Sequence, residues 1–432
     1  MMGPGVRRLL LSVLVFVFLL LGLATLDGRL MALTIPLVVY LVVAMLYGPG
    51  EPSFDVTRLL SEDRVYEGTP VSIALQITNT GARLGEVFIE DLVPDALEIV
   101  DGESRVFASL APGESIQLDY GITGTRGHFE LDAVQVTVGE RLGLFQRRTI
   151  LPADGHLSIL PKAWTLKRVA IRPLRTRGYA GPVPARRSGP GIDFYGVREY
   201  QLGDPRRWIN WRVSARHTQA LFTNEFERER IADVGLILDA RLRMDVHVDG
   251  DSLFEHSVRA TASLAEAFLR DGNRVGLLVY GEYLDWTLPG YGKIQRERIL
   301  QSLARAEPGA SQVFDKLHYL PVRLFPAQSQ LVVVSALCRD DLSMLLRLRA
   351  RGYQVLIVRP DPIGFEVRAL EPGPEVELAA RFAYVERKLL LLKLRRAGIQ
   401  VVDWRVDKPF DQTIHGSLGR VPQWFRAVGL ET

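Results

Sequence analysis

Two uncharged apolar runs dominate the start of the chain, residues 9–26 (LLLSVLVFVFLLLGLATL) and residues 30–47, with only Asp27, Gly28 and Arg29 between them. Each is close to the ~20 residues that a helix rising ~1.5 Å per residue needs to cross ~30 Å of hydrocarbon. So short a break joins only antiparallel neighbours. The pattern therefore predicts a transmembrane helical hairpin over residues 1–50, in contact with the lipid bilayer through residues 9–47. Pro36 inside the second run is better tolerated in a membrane helix than in a soluble one. Arg7 and Arg8 would also suit a signal peptide, but the first run is long, no clear A-x-A cleavage site follows, and a second span comes at once. Arg7, Arg8, Arg58 and Arg64 flank the hairpin against Arg29 alone in its turn. This charge placement predicts a two-pass protein of the cell (inner) membrane with its soluble domains cytoplasmic.

Beyond Pro49 and Gly50 the period shortens. Residues 71–78 (VSIALQIT) alternate with period two and end in the turn cluster Asn79-Thr80-Gly81. Similar runs occupy residues 86–93, 104–110, 115–122, 128–138 and 144–151. Several short strands at this spacing predict an immunoglobulin-like β-sandwich over residues 51–165. Its polar residues form no recognisable catalytic group, which suits a spacer or an interaction module.

From residue 231 onward the pattern alternates between strands and helices. The apolar run ADVGLILDA ends in Asp239 and reads as a buried parallel strand. Helical and strand-like segments then alternate to about residue 406. They predict a doubly wound, mostly parallel α/β sheet over residues 231–432, including a C-terminal tail. Ligands of such sheets sit at the carboxyl ends of strands, which directs attention to Asp239 and to Ser335-Ala336.

Composition narrows the classes. An apolar fraction of 47% rules out wholesale disorder, and a net charge of +3 is too small for a nucleic-acid binder by bulk electrostatics. The single cysteine, Cys338, excludes an intrachain disulfide and a cysteine-cluster zinc site. The seven histidines show no H-E-x-x-H or paired spacing.

The segment 166–230 reads as a connector dense in arginine, carboxylate and aromatic residues. Three readings fit it: an extended segment with internal Arg–carboxylate pairs, a docking surface anchored by Arg, Trp and Tyr, or an anion site. A G-x-G-x-x-G pattern begins at Gly189 but breaks at Phe194.

Within it, GIDFYGVREYQLGDPRRWINWRVSAR resembles the signature of the family called domain of unknown function 58 (DUF 58). Asp193, Phe194, Arg198, Tyr200, Gly203, Asp204, Arg207, Ile209, Trp211, Ala215 and Arg216 fall on that pattern. The similarity extends to the hairpin, to RGHFEL and LGLF in the β segment, and to the α/β domain. It implies that the last domain is von Willebrand factor A-like. Such domains bind Mg²⁺ through D-x-S-x-S after the first strand and an aspartate after the fourth. Here the first element reads DARLR, keeping Asp239 but placing Arg241 and Arg243 where the serines stand, and Ala336 occupies the later aspartate position. Two cations beside a dication are repulsive by about 1–4 kcal/mol per pair near ~4 Å, so the metal site is expected to be degenerate, with an arginine paired to Asp239 instead. Asp340 and Asp341 are expected to cap the next helix.

The expectation is a multidomain membrane protein, not an enzyme and without cofactor, acting as a cytoplasm-facing scaffold or adaptor. Its candidate partner-binding residues are Asp193, Arg198, Tyr200, Gly203, Asp204, Arg207, Trp211 and Arg216. The resemblance implies a partner of the MoxR-type AAA+ ATPase class, in protein assembly or remodelling. Two alternatives remain: a ligand or catalytic site made by the Arg/Asp cluster at 193–216, and an extracytoplasmic envelope or adhesion component.

Overall fold

The computed structural model describes residues 4–26, 28–46, 52–139, 144–167, 169, 171, 176–177, 183–217, 220–311 and 313–418, without the side chains of residues 4–5, 176–177, 183–195 and 226–230. The chain divides into two compact units, Met1–Leu160 and Pro161–Thr432.

In the first unit, helices Pro4–Thr25 and Gly28–Leu46 are long and apolar enough to cross a membrane. Leu9, Phe16, Leu23 and Ile35 point outward and are more than half exposed, as lipid-facing side chains would be. Near the turn, a Cβ added to Gly22 would come within 2.8 Å of Met31 Cγ, so a small residue lets the two helices close.

The β-rich remainder holds two four-stranded antiparallel sheets. One runs Phe54–Leu60, Val71–Asn79, Ser115–Gly124, Leu97–Gly102; the other runs Gln146–Pro152, Ala133–Gly139, Leu84–Asp91, Arg105–Leu110. Alternation along Val71–Asn79 turns Leu75 and Ile77 inward, where they meet Val87, Ile89, Val134 and Val136 of the other sheet. A third sheet of three strands adds Arg64–Tyr66, His156–Leu160 and Gly127–Glu130.

The run 128–138 does not form one strand. It breaks at Leu131-Asp132 into pieces that join different sheets. Strand Leu97–Gly102 was not foreseen, because only Leu97 is buried and no alternation marks it. Arg58 is buried and pairs with Asp91, and it also donates to the carbonyls of Leu131 and Ala153. The Tyr120 hydroxyl donates to Asp91 Oδ2 at 2.6 Å, and burial and that charge push it far above its ordinary pKa.

The second unit is built on one sheet. Counted in chain order from Phe222–Ala240, its six main strands lie in the order 3-2-1-4-5-6, with the third, Leu284–Gly290, an antiparallel edge and the others parallel. Helices Leu253–Arg270, Gly292–Arg305, Asp341–Ala350 and Pro374–Arg396 lie among the connections. The first stops at Arg270, where Gly272 takes φ +74.

Strand Phe222–Ala240 has 19 residues and two roles. Its second half, from Asp233, is the centre of the parallel sheet, and its side chains from Ala232 to Ala240 are buried. Its first half pairs antiparallel with the 17-residue strand Val183–Glu199, with register shifts around residues 185–196. Much of the segment read as a connector is thus a two-stranded ribbon. The boundary drawn between residues 230 and 231 falls inside a continuous strand.

Candidate functional site

The order in which strands are added reverses between the parallel strands Phe222–Ala240 and Gln330–Val334, and the crevice at their carboxyl ends is where open α/β sheets hold ligands. Here the crevice is filled by the chain itself. Arg241 follows the central strand, is 3% exposed, and lies between the carboxylates of Asp239 and Asp341. Its Nε and Nη2 donate to the two oxygens of Asp239, both at 2.7 Å. Its Nη1 and Nη2 donate to the two oxygens of Asp341 at 3.0 and 3.1 Å, and Nη1 also reaches the Asp315 carbonyl at 3.0 Å.

The surroundings complete the arrangement. Ser335 Oγ donates to Asp239 Oδ2 at 2.5 Å and accepts from the Leu337 N–H. Leu337 takes φ +55, a conformation a branched side chain adopts reluctantly, and the turn brings the Cys338 N–H to Asp341 Oδ2 at 3.0 Å. Burial alone would raise the Asp341 carboxyl, but the hydrogen bonds and charge of Arg241 hold it below the usual carboxylate value. Burial likewise opposes the charge on Arg241, and its two carboxylate partners outweigh it, so the guanidinium stays protonated. Nearby, burial pushes the Tyr280 hydroxyl up to about 12, and it donates to the Lys316 carbonyl at 2.7 Å.

Of the two arginines weighed as partners for Asp239, Arg241 takes it. Arg243 lies further out, 3.7 Å from Asp341 and 3.8 Å from Asp315. Ala336 is buried and offers only its backbone, its carbonyl accepting from Arg359 Nε at 2.8 Å. The expected helix capping is not made by side chains: Asp340 takes the N-cap position of helix Asp341–Ala350 without a capping hydrogen bond, and the Asp341 carboxylate is spent on Arg241 and the Cys338 N–H, which closes the site. A divalent ion does not fit this arrangement, since a guanidinium already occupies the space between both carboxylates and a second cation stands beside them.

Sequence reasoning missed the neighbouring network. Arg387 bridges Asp361, just after strand Gln354–Pro360, and Asp403, inside strand Gln400–Trp404, and Tyr384 reaches Asp361 at 3.4 Å. Burial, and then repulsion from Arg387, lower Arg359 to about 10. Polar residues at the carboxyl ends of buried strands were the available signal.

The signature segment lies elsewhere, beyond the amino end of the sheet. Arg198 pairs with Asp204 at 2.7 Å and with Glu225 at 2.8 Å, while Asp204 also accepts the Gln201 N–H at 2.9 Å. These bonds hold the Asp204 carboxyl below its ordinary value and raise Arg198. The Tyr200 hydroxyl closes the turn on the Asp204 carbonyl at 3.3 Å, and Gly203 takes φ +108, which suits glycine. Asn210 caps the short helix Trp211–Ser214 by accepting from Val213 N–H, and Ser214 ties it to Phe222.

Arg207, Trp211 and Arg216 point to solvent, Trp211 at 67% exposure. Leu202 and Leu221 are exposed beside them in the chain. Asp193 lies in strand Val183–Glu199, and its side chain is outside the described residues. The structure therefore brings Arg198, Tyr200, Gly203 and Asp204 together and leaves Arg207, Trp211 and Arg216 facing outward.

Residues 196–363 match the family described as "Protein of unknown function DUF58". The match spans both places just described: most of the signature, and the crevice residues from Asp239 to Asp341. The chain is also 24% identical over 335 residues to a Bacillus subtilis protein described as "Uncharacterized protein YeaD", covering 75% of this chain and 80% of that one. Among solved structures, a FixG-related protein from Vibrio parahaemolyticus aligns at 9% identity over 26% of this chain and 98% of its own, with a TM-score of 0.18. Spo0M from Bacillus subtilis aligns at 15% identity over 26% and 50%, with a TM-score of 0.15.

Proposed function

We propose that this protein is a membrane-anchored, cytoplasm-facing scaffold that binds a protein partner through the outward half of the DUF58 signature, and that it is not an enzyme. In this reading the two apolar helices anchor it, and the β-rich unit is an immunoglobulin-like spacer. The second unit is von Willebrand factor A-like, in keeping with its 3-2-1-4-5-6 strand order and single antiparallel edge strand.

The observation that carries the reading is the exposure of Arg207, Trp211 and Arg216 while Arg198, Tyr200 and Asp204 are spent on internal bonds. Arginine and tryptophan are the side chains most often found as interface anchors, and an exposed Trp held on a capped turn loses little entropy on docking. A ligand-site reading would need Arg198, Arg207, Arg216 and Asp204 to converge, whereas Arg198 and Asp204 are turned onto each other. The family resemblance suggests a MoxR-type AAA+ ATPase as the partner, in assembly or remodelling of other proteins.

The test is affinity purification from gently solubilised membranes, comparing wild type with an Arg207→Ala, Trp211→Ala double variant. An AAA+ ATPase recovered with wild type and lost with the still-folded variant supports the reading. Failure of any protein to co-purify removes it. Labelling of single cysteines introduced on either side of the hairpin tests the orientation, and an extracytoplasmic second unit would favour an envelope role instead.

A further inference from the structure

We propose that Arg241 is the resident cation of the crevice at the carboxyl end of the sheet, a guanidinium carried by the chain in the place a bound cation would take. Its donors are saturated. A guanidinium has five N–H groups, and Arg241 makes one bond to each oxygen of Asp239, one to each oxygen of Asp341, and one to the Asp315 carbonyl. The charges of the two buried carboxylates are also met, while the Asp315 carboxylate, 3.8 Å from Arg243, is exposed to solvent. The carboxylates of Asp239 and Asp341 are matched by the buried Arg241 and by Arg243, 3.7 Å from Asp341. Together the two arginines supply the charge of one dication, and only one of them is buried deeply.

The acceptors lie on separate segments. Asp239 ends the central strand, Asp315 belongs to the loop ahead of strand Gln330–Val334, and Asp341 starts the helix after it. The first of these loops is fastened again where Gly309 N–H donates to the Ala240 carbonyl at 2.9 Å. Arg241 thus ties segments 313–318 and 335–341 to the strand end in one arrangement that no external ion has to complete. Without the guanidinium, two buried carboxylates and the Ser335 hydroxyl would remain as a hard oxygen set suited to a divalent ion that retains some waters.

The experiment uses the full chain in detergent, with Mn²⁺ as probe, and reads thermal unfolding together with hydrogen exchange of the two loops. Wild type is expected to respond to neither Mn²⁺ nor EDTA. Arg241→Ser is expected to lose protection in segments 313–318 and 335–341 and to regain it with Mn²⁺. At ~100-fold excess of Mn²⁺ over Kd, its Tm should rise by about 5–10 °C. Arg241→Ser with wild-type protection, or with lost protection that Mn²⁺ does not restore, overturns the proposal, as does Mn²⁺-dependent protection of these loops in wild type. Should Arg241→Ser not fold, Arg241→Lys decides. One ammonium cannot serve five acceptors, so both loops should lose protection without any Mn²⁺ response, and unchanged protection overturns the proposal.

Discussion

The two ends of strand Phe222–Ala240 carry the same residue types in opposite circumstances. From Glu225 to Asp239 is roughly 45 Å of strand at a rise of ~3.3 Å per residue. At the carboxyl end, Arg241 is buried and saturated by two aspartates; at the amino end, Arg198 shares Asp204 and Glu225 near the surface, and Arg207 and Arg216 face solvent. An arginine that fills its own pocket fixes the structure, whereas an exposed arginine beside a tryptophan is available for recognition. Burial and the number of acceptors separate the two roles.

The difference is largest in stability. Asp239→Ala leaves Arg241 buried with three of its five acceptors, and breaking one side of a buried pair costs about 3–5 kcal/mol. Tryptophan fluorescence isolates the effect, because all six tryptophans lie within Pro161–Thr432. Urea unfolding followed this way should show the loss, and an unchanged midpoint would mean that the crevice is not the tightly held end.

Acid should act next, and on the same end. Arg241 holds the Asp341 carboxyl below its ordinary value of 3.8, so the native state binds fewer protons there than the unfolded chain. Its stabilisation is complete above the ordinary value and is lost as pH falls through the depressed one. Asp341→Asn is therefore expected to be less stable at neutral pH and to show a shallower decline below about pH 4. Parallel acid limbs for variant and wild type would remove the assignment.

A smaller effect is expected from Arg198→Ala, whose partners are reached by solvent and counterions. That loss should shrink as salt rises, because the Debye length falls from ~30 Å at 0.01 M to ~3 Å at 1 M. The Asp239→Ala loss should hardly change over the same range. Equal salt sensitivity at both ends would break the comparison.

The order of elements was legible because it rests on periodicity. Apolar length marked the two helices, alternation marked Val71–Asn79, and the run ending in Asp239 marked the central strand. The ribbon was not legible, since glycines and prolines at 184–191 read as loop while the pairing that makes them strand is supplied by residues 222–230. For the crevice, the family resemblance implied that Arg241 and Arg243 stand where small hydroxyls would suit a metal. Choosing between them, and bringing in Asp341 from a hundred residues away, depends on the turn at Leu337 and on parallel pairing of Leu238 with Val334, which no local pattern encodes.

The smallest expected effect on stability is the most informative about recognition. Arg207→Ala with Trp211→Ala removes side chains that point to solvent, and such changes usually stay within ±0.5 kcal/mol. If the outward half of the signature is an interface anchor, the same variant should weaken partner binding by about 2 kcal/mol or more, roughly thirtyfold in Kd. Binding measured with purified partner against the full chain, beside urea unfolding of the same preparations, separates the two. Large binding loss with near-native stability assigns the amino end to recognition. Large stability loss would make Trp211 a packing residue and erase the contrast between the ends of the strand.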